Sequence, residues 1–268
     1  MSPKNHSIGY DDLPFWSAPF GIALLDKVTM KANMNVLDIG SGSGFPMLEL
    51  AERLGKSCMV YGLDPSGDAI RMINEKKTVR RIENTRVIKG FAEEIPFPDG
   101  YFNLVVANNG INNVTDQEKT LSECRRVSDR EAQMLITVNL PRTMIEFYDI
   151  FKHTLIEKGL NEEVQKMYDH IHNKRKSVEY LKELIEKSGF LIKTVDVDGF
   201  KIRFTDGTAF FNHSLIRNAF MGPWKAILPE ISIEPVFSLL EQRLNEEATR
   251  KGGLIVSVPF ACFDCSVE

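Results

Sequence analysis

Excess positive charge is the first thing this sequence lacks. Its 33 lysines and arginines stand against 37 aspartates and glutamates, giving a net charge of −4 and a pI near 5.8. A protein whose main affinity is for nucleic-acid phosphates carries a basic footprint. The short runs Lys174-Arg175-Lys176 and Lys76-Lys77 with Arg80-Arg81 read instead as solvated helix faces, so no nucleic-acid partner is expected. Long apolar runs are missing too. No uninterrupted segment approaches the ~20 residues a bilayer span needs, and the polar stretch Met1 to Tyr10 has no apolar centre of the secretory kind. A cytoplasmic protein with no membrane partner is the expectation. Cysteine is scarce, at four residues. Cys58 and Cys124 stand alone, while Cys262-Phe263-Asp264-Cys265 has neither a second pair to complete a zinc site nor a helix start to lower a thiol pKa. These thiols read as core residues near a strand end, and no metal is expected. Internal repeats, low-complexity tracts and linkers are absent, which points to one domain in 268 residues of ordinary globular composition.

What the sequence does have is a glycine-rich turn from Val36 to Gly44, Val-Leu-Asp-Ile-Gly-Ser-Gly-Ser-Gly. An apolar run carrying one acid and then three alternating glycines describes a buried parallel strand breaking into a tight turn, where backbone passes close to a ligand. Apolar residues at helical spacing from Phe45 to Leu54, stopped by Gly55, put a helix directly behind it. The N-terminus of such a helix suits a carboxylate or phosphate, although glycine-rich turns also arise for purely structural reasons. The dinucleotide pattern Gly-x-Gly-x-x-Gly fails, because Gly44 comes one position early and Phe45 stands in the small residue's place. No Gly-Lys-Ser or Gly-Lys-Thr follows, as the phosphate loop of nucleotide hydrolases requires. The glycine pattern that remains closely resembles that of the class I S-adenosylmethionine-dependent methyltransferases.

Downstream, Ser57 to Leu63 reads as a second strand ended by Asp64. It lies about 20 residues past the glycine loop, where parallel nucleotide-binding sheets place the carboxylate that accepts from ribose hydroxyls. Pro65-Ser66-Gly67-Asp68 reads as a turn with a helix start, and Arg86 to Lys89 as a third strand. Next, Gly90-Phe91-Ala92-Glu93-Glu94-Ile95-Pro96-Phe97 is similar to the family's Gly-Asp-Ala-Glu-x-Leu-Pro-Phe, whose aspartate accepts from the adenine amino group. Phe91 holds that position here, a ring able to stack on adenine while the Ala92 backbone bonds. Leu104 to Ala107 is a fourth strand running into Asn108-Asn109-Gly110-Ile111-Asn112-Asn113, at the crevice where doubly wound sheets hold ligands. This stretch does not match the Asn/Asp-Pro-Pro-aromatic signature of methyltransferases acting on base amino groups. It looks like the small-molecule branch, with amides at Asn112 and Asn113 where a histidine pair often stands, so the catalytic residues are left unassigned. The resemblance implies S-adenosylmethionine as cofactor and S-adenosylhomocysteine as product. It implies a cofactor set of Asp38, Gly40, Ser41, Gly42, Asp64, Pro65, Phe91, Ala92, Glu93 and Asn108, with acceptor contacts from Trp16, Phe20, Asn109, Asn112 and Asn113.

Tyr10 to Thr29 is rich in aromatics and helical in spacing from Pro19 onward; Tyr10, Phe15, Trp16 and Phe20 are either core packing or a flap over the ligand. Gln117 to Arg126 reads as a helix and Ala132 to Leu140 as a fifth strand. Residues 141–176 read as a helical insert carrying His153, His170 and His172 on its surface. Ser177 caps a helix ending near Ser188, Phe190 to Val197 is a sixth strand, and Leu254 to Pro259 is the last. Between these strands lies a second insert, 206–251, with several aromatics and a helix opened by Pro235. Its apolar surface suits a pocket lid or a homodimer face. The expected fold is α/β: a doubly wound, mostly parallel seven-stranded sheet with an antiparallel edge strand, Rossmann-like, with helical inserts. Residues 1–30 form its arm, 31–140 its cofactor-binding core and 177–268 its C-terminal half. The expected function is methyl transfer to a small-molecule acceptor by in-line displacement, which needs placement more than a base. A catalytically silent cofactor-binding module and a methyltransferase acting on protein or RNA stand as alternatives.

Overall fold

The computed structural model describes residues 14–267, so Tyr10 lies outside the described residues. Seven strands form one sheet in the order β3-β2-β1-β4-β5-β7-β6. They are β1 Asn35–Ile39, β2 Met59–Asp64, β3 Thr85–Lys89, β4 Phe102–Asn108, β5 Ser128–Asn139, β6 Phe190–Phe204 and β7 Leu254–Val267. The pairs β1–β2, β1–β4, β2–β3 and β4–β5 are parallel, while β7 runs antiparallel to β5 and carries β6 at the edge. The mixed sheet with its last two strands at one edge is the architecture expected from sequence. Val36, Leu37 and Ile39 of β1 are all buried, as a strand covered on both faces requires. Chain order reverses between β1 and β4, so the crevice at their carboxyl ends is the switch point of the sheet.

Backbone contacts divide the chain into two compact units. The first comprises the chain to Asn139, Ser177–Val197 and the chain from Phe260. It contains helices α1 Pro14–Leu25, α2 Met47–Leu54, α3 Gly67–Arg80, α4 Gln117–Val127 and α7 Val178–Lys187. Leu24 and Leu25 of α1 and Met47, Leu48, Leu50 and Ala51 of α2 join Val36, Val60, Leu104, Val106 and Leu135 of the sheet in one buried cluster. Local capping sets the helix ends. Ser66 Oγ accepts from Ala69 N, Asp116 from Lys119 N and Ser177 Oγ from Tyr180 N, each cap worth about 1 kcal/mol.

The second unit comprises Leu140–Lys176 and Asp198–Pro259 and so holds both inserts. Its helices are α5 Ile145–Glu157, α6 Asn161–Lys174, α8 Gly207–Asn212, α9 Met221–Lys225 and α10 Glu230–Lys251. Trp224 is fully buried, stacked on Phe147 at 4.0 Å between ring centroids, and its Nε1 donates to the Tyr148 hydroxyl at 2.9 Å. Phe210 and Phe211 are buried with them. The two inserts bring enough aromatic surface to close a core of their own.

Several boundaries move. The α1 helix begins at Pro14 rather than Pro19, and α10 begins at Glu230 with Pro235 inside it. Each internal proline leaves one carbonyl without its helical donor, and those carbonyls belong to Phe15 and Ile231, each 88% exposed, where solvent can satisfy them. The α2 helix begins at Met47 with Pro46 as its N-cap, which lengthens the glycine loop by two residues. β6 runs past its expected end at Val197 to Phe204, since a Cβ at Gly199 would stand 3.2 Å from the Val258 carbonyl oxygen: glycine there admits the neighbouring backbone. β7 likewise continues past Pro259, because the β5 ladder that holds it starts one residue later, at Phe260. Arg175, read as a solvated charge, is 3% exposed. The four cysteines are free and buried, as expected, and burial pushes Cys124, Cys262 and Cys265 up to about 12.

Candidate active site

Loops from the carboxyl ends of β1, β2 and β4 meet in the first unit. The glycine loop is pinned from below by two amides, Gly40 N–H and Ser41 N–H, both donating to the Leu63 carbonyl at 2.8 and 3.3 Å. Asp64, 8% exposed, ties it sideways: one carboxylate oxygen accepts from Gly42 N at 2.9 Å, the other from Ser66 N at 2.8 Å. Gly42 has φ +50°, and a Cβ there would meet nothing nearer than the Gly40 oxygen at 3.9 Å. The backbone conformation demands glycine and the space before it is open.

Behind this loop stands Asp38, with no exposed surface and, among the described residues, no hydrogen bond of ordinary geometry to either oxygen, only a weaker approach of the Met47 amide. Burial pushes its carboxyl well above the usual range; the Met47 amide offsets part of this and the Asp64 charge adds to it. Ser41 Oγ, 1% exposed, is also without a partner. Orphaned buried polar atoms are rare in folded proteins, and here they cluster where the sequence places a ligand.

The loop after β4 is a net of amides. Asn108 donates from Nδ2 to the Ser17 carbonyl at 3.1 Å and accepts from Thr137 Oγ1 at 2.9 Å, tying α1 to the end of β4. Asn109 takes a left-handed backbone, φ 59°, a conformation asparagine tolerates well. Its Oδ1 accepts from Asn112 Nδ2 and Asn139 N, both at 3.0 Å. Asn112 also donates to Asn139 Oδ1, while its own buried Oδ1 has no partner. Asn113 is exposed, donating to the Asn109 carbonyl at 3.2 Å.

Elsewhere the expected residues scatter more. Phe91 is 66% exposed beside the buried Ala92, and Pro65 is exposed after β2. Glu93 Oε1 accepts from Thr115 N at 2.8 Å and Asp116 N at 3.2 Å, bracing the start of α4. Phe20 is wholly buried, its ring 5.1 Å from that of Phe260, whereas Trp16 stays half-buried. His153, His170 and His172 all lie in the second unit; burial and then the Arg175 and Lys174 charges lower His170. Among the described residues no group of three or more His, Cys, Asp or Glu could hold a metal, and no helix is long and apolar enough to cross a membrane. Sequence reasoning missed Asn139. Its signal was there: β2, β4 and β5 all end on a polar residue, Asp64, Asn108 and Asn139, after buried apolar runs.

A family profile described as a methyltransferase domain matches residues 30–189, more than half of the chain, including the glycine loop, Asp64 and the asparagine net. This chain belongs to that family. The chain resembles a demethylmenaquinone methyltransferase of Geobacillus sp. (strain WCH70), 30% identical over 127 residues, which are 47% of this chain and 54% of the relative. It also resembles a ubiquinone/menaquinone biosynthesis C-methyltransferase of Idiomarina loihiensis, 28% identical over 165 residues, 60% of this chain and 62% of the relative. The chain therefore spans a little over half the length of these curated relatives. The solved YcgJ protein of Bacillus subtilis superposes with a TM-score of 0.62 over 94% of this chain and 99% of that chain, at 15% identity, which shows a shared fold.

Proposed function

We propose that this protein transfers a methyl group from S-adenosylmethionine to a small-molecule acceptor. Asp38 carries the reading: a fully buried carboxylate with no hydrogen bond of ordinary geometry, under a glycine loop whose front is open, is a counter-charge suited to a cation. S-adenosylmethionine is cationic at its ammonium and sulfonium. Asp64 would hold the ribose hydroxyls, since each of its oxygens keeps a second lone pair beyond the Gly42 and Ser66 amides. Phe91 offers its exposed face to adenine, beside the Ala92 backbone. Bound there, the cofactor supplies an activated methyl electrophile.

What the chain does with it is bind, orient and exclude water, and orientation alone can supply roughly 7–11 kcal/mol of barrier lowering. Asn109, Asn112 and Asn113 offer hydrogen bonds and no proton acceptor that titrates near neutrality. This suits an acceptor that is already nucleophilic, an amine, a thiol or an activated carbon; the relatives named as quinone C-methyltransferases support the carbon. Trp16 of α1, half-buried with its ring 5.5 Å from that of Phe20, would contact such an acceptor. The same proposal takes the protein as cytoplasmic, independent of nucleic acid, and able to pair as a homodimer through its inserts, which sedimentation checks.

Methyl-labelled S-adenosylmethionine offered with separate panels of small metabolites, proteins and RNA tests the reading. Label entering a small acceptor supports it, and label entering only polymers replaces it with the macromolecular alternative. Binding of S-adenosylhomocysteine without any turnover marks a silent module. No binding by calorimetry removes the reading altogether.

A further inference from the structure

In the second unit Arg175 follows the last residue of α6 and is 3% exposed. Its guanidinium makes one hydrogen bond, Nη1 to the Thr143 carbonyl at a long 3.4 Å, and lies 5.4 Å from the centre of the Tyr148 ring. Among the described residues no carboxylate stands within ion-pair distance of it. The titratable group that feels its charge is His170, whose protonation it opposes. Two other charges of the unit that are buried or half-buried are matched, Glu163 by Lys166 at 3.2 Å and Arg243 by Glu157. A guanidinium taken out of water loses more in desolvation than one long bond and one ring face return. Tyr148 adds a second unused donor: its hydroxyl, 2% exposed with the rest of the residue, accepts from Trp224 Nε1, and its own proton has no acceptor among the described residues. Beyond the Thr143 carbonyl and the Tyr148 oxygen already engaged, the spot holds donors without acceptors among the described residues.

We propose that Arg175 and the Tyr148 hydroxyl form a recognition point for the acidic group of a small organic ligand, a carboxylate or a phosphate monoester. The planar fork of arginine matches either group with two parallel N–H bonds, which lysine cannot reproduce. Phe147 and Trp224, stacked beside Tyr148, give the ligand's organic part an aromatic neighbourhood. This site stands independently of the methyl-transfer reading. The acid belongs either to the methyl acceptor or to a separate ligand of the same chemistry.

Benzoate and phenyl phosphate are the probes, with benzamide as the neutral control, titrated by calorimetry at constant ionic strength into wild type, Arg175→Met, Arg175→Lys and Tyr148→Phe. Saturable wild-type binding of at least one acid is expected, weakened at least about tenfold in Arg175→Met, the loss that follows removal of one partner of a charge-assisted bond. Smaller losses are expected in the lysine and phenylalanine variants. Without ligand, Arg175→Met should melt at or above the wild-type temperature, because an apolar chain replaces a buried charge that lacks a counter-ion. A markedly lower melting temperature would mark the charge as structural and overturn the proposal. So would equal acid affinity in Arg175→Met, or wild-type binding no stronger than that of benzamide. Calorimetry with S-adenosylhomocysteine on the same samples keeps the two readings apart: wild type that binds the acid but not the cofactor product retains this site and loses methyl transfer. An acid that takes up label from S-adenosylmethionine is the acceptor; one recovered unlabelled is a separate ligand, and either result supports the site.

Discussion

Replacing Asp38 by asparagine keeps the shape of the side chain and removes its ability to ionise, with opposite effects on folding and binding. Asp38 has no exposed surface, and neither oxygen has a hydrogen bond of ordinary geometry. Its folded pKa is raised by burial above the ordinary value of 3.8, so the folded protein holds this proton more tightly than the unfolded chain does. The stability this gives is fully present below the unfolded pKa and is lost as pH rises toward the folded one, at about 1.4 kcal/mol per pH unit between them. Asparagine has no such slope. Without ligand, Asp38→Asn should therefore be more stable than wild type at about pH 8, by roughly 1–3 kcal/mol, and the gap should close on acidification. In a chain of this size each kcal/mol moves the melting temperature by about 2–4 °C. Binding moves the other way: losing a charge-assisted contact of about 1.5–3 kcal/mol weakens S-adenosylmethionine and S-adenosylhomocysteine roughly 10- to 100-fold. Melting curves across pH and calorimetry read both effects. If the variant binds both ligands as wild type does and melts with an unchanged pH dependence, Asp38 is not the counter-charge of this site.

Gly42→Val should fold, by circular dichroism, yet lose S-adenosylhomocysteine binding, since valine at φ +50° is strained and its side chain would enter the open space; retained affinity would mean the loop faces another ligand. Phe91→Ala should change stability by less than about 0.5 kcal/mol, because the ring is 66% exposed, while lowering cofactor affinity through lost stacking. With no carboxylate at this position, wild type should discriminate only weakly against an inosine-type cofactor product; rejection approaching about 10⁴-fold in calorimetry would contradict that. Glu123 is held below its ordinary 4.5 chiefly by the Arg126 bonds, both at 2.7 Å, so the stability it gives is present above that value and lost as pH falls through the folded one. Arg126→Met should thus lower stability by about 1–3 kcal/mol near neutrality and flatten the acid limb in denaturant titrations; an unchanged acid limb would refute the linkage.

The parts of the fold that were legible in sequence are those whose signal is local. Buried runs such as Val36 to Ile39 show as strands, Ser66 and Ser177 announce helix starts, and Asp64 is found by its distance from the glycine loop. The rest was hidden because burial is decided by tertiary partners. Pro235 looks like a helix start unless the exposure of Ile231 is known, and the extension of β6 past Val197 shows only when β7 is seen alongside. The charge of Arg175 suggested a solvated face until its surroundings were known. At the site, the glycine loop and its acids were visible, whereas the commitment of Glu93 to the start of α4 and of Asn108 to Ser17 depends on contacts between distant segments.

The four cysteines give this protein a blank labelling background. Cys124, Cys262 and Cys265 hold their protons to about 12, and Cys58 is buried between the Met34 amide and the Lys31 carbonyl, out of easy reach of alkylating reagents in the native state. A single cysteine introduced at exposed Asn113 would then be the one addressable handle beside the asparagine net, reporting ligand arrival through an attached fluorophore. Left unmodified, the native thiols act as a clock, because each reacts only when its surroundings open, and the order of labelling records whether the turn before β2, the helix α4 or the strand β7 gives way first.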